Sequence, residues 1–141
     1  MKILLVEGRF YNDLADLLVA GATKKLEELG VEYEKLQVPG VLEIPAAINF
    51  AHKSSNNYDG FVALGCVIRG ETTHYDYVCE ESARALMDLS LKEQLAIGNA
   101  IITVENMEQA IARADETKKD KGGFAANACV EMANIKKKFN L

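Results

Sequence analysis

Cysteines are too few and too scattered in this sequence to hold a metal or to form a disulfide framework. The three of them, Cys66, Cys79 and Cys129, show no C-x-x-C spacing, which is the usual sign of a structural zinc site. We therefore expect free thiols, no metal site and a reducing cytoplasm as the setting.

Long apolar runs and an excess of positive charge are also absent. No apolar stretch approaches the roughly 20 residues that a membrane-spanning helix needs, and the chain begins directly on a predicted strand, so we expect no secretory leader. The formal net charge is −5 at pH 7, which argues against general binding to nucleic acids or to anionic membranes. Any affinity for phosphate must therefore come from a few local cations.

No internal repeat, low-complexity tract or linker divides the 141 residues. A chain near this length buries about two-thirds of its surface when it folds, so it can form a substantial core. Hydrophobic residues make up 49% of the chain and charged residues 26%, which is ordinary for a globular protein. We therefore expect a single domain over residues 1–141.

Four apolar strands alternate with helical patterns along the chain. The predicted strands are Lys2–Val6, Val31–Val38, Phe61–Val67 and Ile97–Val104. The predicted helices are Asp13–Leu29, Glu43–His52, a segment that begins at Thr73, Glu105–Ala114 and Gly123–Phe139. This alternation favours an α/β fold, in which a four-stranded parallel sheet carries helices on both faces of a three-layer domain. Ligands of such sheets bind beyond the carboxyl ends of the strands.

The stretch Gly65–Val78 is the most informative part of the sequence. An apolar strand leads into it, two glycines bracket a turn, and a helical pattern opens at about Thr73. Thr73 and Asp76 fit a helix-capping pattern, which predicts an anion site at the start of the helix. His74 adds a group that titrates near neutrality. These features together suggest phosphate-ester chemistry, but a surface histidine after a strand–glycine turn is also common in α/β domains.

Four segments with specific motifs occur in order over nearly the whole chain: Arg9-Phe10, Val38–Pro45, Ala63–Val78 and Thr103–Ala114. Together they resemble the 6,7-dimethyl-8-ribityllumazine synthase family. The resemblance implies the penultimate enzyme of riboflavin biosynthesis, which condenses 5-amino-6-(D-ribitylamino)uracil with 3,4-dihydroxy-2-butanone 4-phosphate and releases phosphate and water. It also implies no metal, no organic cofactor, and a homopentamer with active sites between adjacent subunits. Riboflavin synthase is a candidate partner.

The resemblance further implies roles for individual residues. His74 matches the family's proton-transfer histidine. Glu71, Thr72 and Arg113 match the family's phosphate-binding positions. The Arg113 guanidinium suits the geometry of a phosphate dianion. The positions that bind the ribitylaminouracil substrate are matched by Phe10, Val41, Leu42, Glu43, Cys66, Val67, Ile68, Asn99 and Lys121.

Several of these residues also have a purely structural interpretation. Phe10 would stack on the pyrimidine, or it would close the core as a loop phenylalanine. Arg113 is otherwise an exposed arginine near a helix end. Cys66–Ile68 would contact the uracil edge mainly through the main chain, so Cys66 is expected to be a small buried residue and not a nucleophile. The Glu71 carboxylate would repel phosphate, so we expect it to point away or to pair with a cation.

Three departures from the family pattern affect the expected site and assembly. Asn99 stands where many members have a phenylalanine, so no ring can stack there. The loop Asp115–Lys121 is charged and lacks the glycines common in capsid-forming members. The sequence also lacks their extension before the first strand. The last two departures favour a free pentamer over a sixty-subunit shell.

Two other functions are compatible with these residues. A flavodoxin-like module that binds FMN or another phosphorylated ligand would use the same fold and the same anion site, and it would not need His74. A catalytically idle assembly subunit would need neither His74 nor Arg113. Because some genomes carry two such synthases, the chain could also be a specialised copy.

Overall fold

The computed structural model describes residues 1–141 and contains one parallel sheet of four strands. The strands are β1 (Lys2–Gly8), β2 (Glu32–Val38), β3 (Gly60–Ile68) and β4 (Ile97–Val104). Their order across the sheet is β2-β1-β3-β4, and each neighbouring pair is parallel. The predicted four-stranded parallel sheet is therefore confirmed.

Five helices cover both faces of the sheet, as predicted. They are α1 (Asn12–Glu28), α2 (Ile44–Lys53), α3 (His74–Lys92), α4 (Met107–Ala114) and α5 (Lys121–Lys138). Helices α1, α4 and α5 pack on one face, and α2 and α3 pack on the other. A short 3₁₀ turn, Val41–Glu43, precedes α2, so this helix begins after the predicted Glu43. None of the five helices combines the length and the apolar character needed to cross a lipid bilayer.

The two central strands divide their side chains between these helical layers. In β1, Ile3 and Leu5 face α1, α4 and α5, whereas Leu4 and Val6 face α2 and α3. All of β3 except its last residue is buried, which explains its nearly continuous apolar sequence. Strand β2 lies at one edge of the sheet and is mostly exposed.

The strand order creates a crevice between β1 and β3. From β1 the chain crosses through α1 to β2 on one side, and it returns through α2 to β3 on the other side. The segments that follow β1 and β3 therefore diverge at the carboxyl edge of the sheet. This is the topological switch point at which doubly wound sheets bind their ligands.

Candidate active site

A cavity of about 360 Å³ lies at this switch point, a volume suited to a small molecule. Three segments that are distant in the sequence form its walls: the β1–α1 turn, the connection from β2 to α2, and the connection from β3 into α3. The lining residues are Phe10, Tyr11, Pro39, Gly40, Val41, Leu42, Glu43, Val67, Ile68, Gly70, Thr72, His74, Tyr75 and Val78. The predicted site residues Phe10, Val41, Leu42, Glu43, Val67, Ile68, Thr72 and His74 thus surround one space.

Two glycines allow the connection from β2 to α2 to pack against the sheet. A Cβ on Gly65 in β3 would lie 2.7 Å from Cγ2 of Val41. A Cβ on Gly8 at the end of β1 would lie 3.0 Å from the carbonyl carbon of Gly40. Both distances are shorter than side-chain carbons normally reach in a packed interior. Glycine at these positions therefore lets buried Val41 form the floor of the cavity beside exposed Leu42.

His74 is the first residue of α3, and its exposed side chain lines the cavity. The predicted capping by Thr73 is wrong, because the Thr73 side chain forms no capping hydrogen bond. Thr72 acts there instead: its Oγ1 accepts a hydrogen bond from the His74 backbone N–H at 3.3 Å. The Thr72 hydroxyl, the His74 imidazole and the positive end of α3 therefore lie on the same turn beside the cavity.

Phe10 projects from the β1–α1 turn and is 74% exposed. This exposure does not fit a phenylalanine that closes the core. Its ring meets the ring of Tyr11 edge to face, with 4.9 Å between the centroids. A largely exposed aromatic ring at a cavity presents a flat surface on which a planar ligand can stack.

Two predicted site residues near the end of β3, Cys66 and Glu71, do not line the cavity. The Cys66 side chain is buried in the layer of α1, α4 and α5, and burial raises the pKa of its thiol to about 12. Glu71 is exposed and forms no ion pair with a cation of this chain.

Cys66 is predicted to resist alkylation in the native protein. A thiol with a pKa of about 12 has only about one molecule in 10⁴ ionised at pH 8, and the thiolate is the reactive form. Burial also raises the pKa of Cys129 to about 12, whereas Cys79 is only half-buried. Peptide mass spectrometry after iodoacetamide treatment at pH 8 should therefore find Cys79 modified first, and all three cysteines modified in denaturant. Rapid modification of native Cys66 would contradict this.

Asn99, Arg113 and Lys121 lie outside the cavity that His74 lines. Asn99 is exposed on the edge strand β4, where its Oδ1 accepts a hydrogen bond from the Ile101 N–H at 2.8 Å. Arg113 is in the last turn of α4, and Lys121 is the first residue of α5. These two helices pack on the opposite face of the sheet from α3. The cavity of one chain therefore lacks these three predicted site residues.

Arg113 differs from the other three arginines of the chain in its charge partners. Arg9, Arg69 and Arg84 each form ion pairs with two carboxylates. Arg113 forms no ion pair, and its Nη1 donates instead to the Gln109 carbonyl oxygen at 3.1 Å. Its positive charge is therefore available to an external anion, and the remaining guanidinium donors match the oxygens of a phosphate.

Two aromatic residues of the cavity, Tyr11 and Tyr75, were not among the predicted site residues. The Arg69 guanidinium carbon lies 4.2 Å from the centroid of the Tyr75 ring. Burial raises the pKa of the Tyr75 hydroxyl, so it carries its proton at neutral pH. The i, i+3 spacing from Tyr75 to Val78, which also lines the cavity, is the sequence signal that could have identified it.

The lining side chains favour proton transfer and the binding of a polar, partly planar ligand. The His74 imidazole is a group that can transfer protons, and the exposed Glu43 carboxylate can accept hydrogen bonds from hydroxyl groups. Neither here nor elsewhere in the chain is a group of three or more His, Cys, Asp or Glu side chains placed to hold a metal ion.

Comparison with known proteins identifies the family. A family model described as 6,7-dimethyl-8-ribityllumazine synthase matches residues 1–137. A protein of that name from Agrobacterium fabrum is 59% identical over 140 residues, which cover 96% of this chain and 95% of the relative. The one from Bartonella bacilliformis is 57% identical over 97% of this chain and 91% of its own. 6,7-Dimethyl-8-ribityllumazine synthase 1 from Rhizobium meliloti is 56% identical, over 98% of this chain and 93% of the relative. The chain therefore belongs to the 6,7-dimethyl-8-ribityllumazine synthase family.

Proposed function

We propose that the protein is a 6,7-dimethyl-8-ribityllumazine synthase, a transferase of riboflavin biosynthesis. It condenses 5-amino-6-(D-ribitylamino)uracil with 3,4-dihydroxy-2-butanone 4-phosphate and releases phosphate and water. The observation that carries the proposal is the convergence of Phe10, Val41–Glu43 and His74 on one cavity. These residues match the family's site but are far apart in the sequence.

In the proposed reaction His74 transfers the protons. Imine formation, elimination of phosphate and ring closure each move a proton, and an imidazole can both donate and accept one near neutral pH. The Phe10 ring stacks on the pyrimidine, and Val41–Glu43 binds the ribityl chain with the Glu43 carboxylate accepting from its hydroxyls. Main-chain groups of Cys66–Ile68 contact the uracil edge. Much of the rate comes from holding the two substrates together.

The phosphate group is proposed to bind where the start of α3 meets a second subunit. The Thr72 hydroxyl and the Glu71 backbone N–H donate to it from one chain, and the unpaired guanidinium of Arg113 approaches from the neighbour. Asn99 and Lys121 complete the pyrimidine side of the same pocket. What supports this arrangement is that all three neighbour residues lie outside the cavity of their own chain.

We further propose that the protein forms a free homopentamer in the cytoplasm and that riboflavin synthase is its partner, since that enzyme consumes the product. The cytoplasmic location is supported by three cysteines that remain free thiols. The pentamer is supported by the position of Asn99, Arg113 and Lys121 outside the cavity that His74 lines, because a head-to-tail ring would give every subunit the same two neighbours to supply them.

The test of activity is to mix the purified protein with both substrates and to follow the absorbance and fluorescence of the lumazine product. Mixtures without protein, or with one substrate omitted, serve as controls. We expect product to form much faster than in the protein-free mixture. No acceleration, together with tight binding of FMN, would contradict the enzyme and favour the flavodoxin-like module. Light scattering on the same sample should give five subunits, and a shell-sized particle would contradict the pentamer alone.

A further inference from the structure

Arg9 directly precedes Phe10, and all three nitrogens of its guanidinium donate hydrogen bonds within or beside the β1–α1 turn. Nη1 donates to Oε1 of Glu7 at 3.3 Å, Nε to Oδ1 of Asn12 at 3.0 Å, and Nη2 to Oδ1 of Asp16 at 2.7 Å. The Arg9 backbone N–H also donates to the Val38 carbonyl at 3.0 Å. One residue thereby joins the end of β1, the start of α1 and the end of β2.

Phe10 has little support of its own. Its side chain is 74% exposed, so packing in the core does not fix its direction. Apart from its edge-to-face contact with the ring of the neighbouring Tyr11, the direction of the ring depends on the backbone of the turn, which Arg9 holds through the hydrogen bonds described above. The Arg9 side chain itself is only 19% exposed, and the residues that accept its side-chain hydrogen bonds do not line the cavity.

Glu7 is an unusual residue for its place in the sheet. It follows Ile3 and Leu5 on the face of β1 that packs against α1, α4 and α5, and its register partner in β3 is the buried Leu64. The Glu7 side chain is 4% exposed, and its Oε2 is buried with no hydrogen-bond partner. An apolar side chain would be cheaper to bury here. What the carboxylate provides is an anchor for Arg9.

From these contacts we infer that Arg9 is a positioning residue for the pyrimidine substrate. Held by Glu7, Asn12 and Asp16, it fixes the turn so that the Phe10 ring stands ready to stack on the planar substrate. Arg9 itself touches neither substrate. This inference rests on the proposed function, because Phe10 acts on the pyrimidine only in that reaction.

The test is steady-state kinetics of Arg9→Ala with each substrate varied in turn. Loss of a well-placed stacking ring weakens binding by about three- to tenfold, so we expect KM for the ribitylaminouracil to rise by that factor. KM for the butanone phosphate should remain at the wild-type value. Arg84→Ala is the matched control, because Arg84 also pairs with two carboxylates but lies on α3 away from this turn; it should leave both KM values unchanged.

The double variant Arg9→Ala/Phe10→Ala separates positioning from general damage. If Arg9 acts through Phe10, the double variant should be no worse than Phe10→Ala alone. Asp16→Asn removes only the exposed end of the network, so it should fold even if Arg9→Ala does not. It should raise KM for the ribitylaminouracil by less than Arg9→Ala does.

Three outcomes overturn the inference: an unchanged KM for the pyrimidine in Arg9→Ala and Asp16→Asn, an equal rise in both KM values, or full additivity with Phe10→Ala. In each of these the wild-type protein still turns over both substrates. A wild-type protein without turnover overturns the proposed function itself, and the inference with it.

Discussion

His74→Ala is expected to lower kcat by about 10²- to 10⁴-fold, the range in which a general acid–base group contributes. The imidazole is exposed at the start of α3 and lines the cavity, and no other histidine can replace it there. The only other histidine of the chain is His52 near the end of α2, with its Nε2 3.7 Å from a carboxylate oxygen of Glu93. Because the His74 side chain is exposed, its loss should leave the folded protein about as stable as the wild type.

The measurement is kcat over a range of pH values for the wild type, His74→Ala and His52→Ala. His74→Ala should fall below the wild type by the expected factor at each pH. His52→Ala is the matched control and should keep the wild-type kcat. Binding of a phosphorylated ligand should survive in His74→Ala, because Thr72 and Arg113 are unchanged. A variant that retains more than half of the wild-type kcat would exclude His74 as the proton-transfer group.

The fold could be predicted from the sequence because each element carries its own local signal. The apolar runs of β1 and β3 and the order of strands and helices led to the correct parallel sheet with helices on both faces. Details at the ends of elements were less predictable. The capping pattern at Thr73 failed because two threonines are adjacent, and the backbone placed the hydroxyl of Thr72, not that of Thr73, against the helix N–H.

The cavity was only partly predictable, for a physical reason. Segments that follow all four strands were expected near one another because the carboxyl ends of parallel strands lie at one edge, but no residue from Glu105 onward lines the cavity. The ion pairs of Arg9 were not foreseen, since they depend on how far the turn between β1 and α1 brings Asp16 back toward Glu7. Distances of this kind are set by packing, and the sequence has no periodic signal for them.

Arg113→Ala is the second variant expected to have a large effect, and it should act mainly on the butanone phosphate. Removing a charge-assisted contact to a phosphate costs about 1.5–3 kcal/mol, which corresponds to a rise in KM of roughly 10- to 100-fold. KM for the ribitylaminouracil should change much less. Arg113→Lys should recover part of the loss, because an ammonium keeps the charge but not the fork of donors.

The same residue tests whether the site is shared between subunits. Arg113 lies on α4, on the opposite face of the sheet from α3, and it does not line the cavity that His74 lines, so we expect the two groups to meet across a contact between chains. Chains with His74→Ala and chains with Arg113→Ala, co-expressed with different affinity tags and purified through both, should therefore be more active than either variant alone when the butanone phosphate is well below its KM for Arg113→Ala. In a ring, each site takes His74 from one subunit and Arg113 from the adjacent subunit. Random mixing should therefore leave about one site in four with both residues intact. If doubly purified oligomers were no more active than the separate variants, His74 of one chain and Arg113 of another would not share a site.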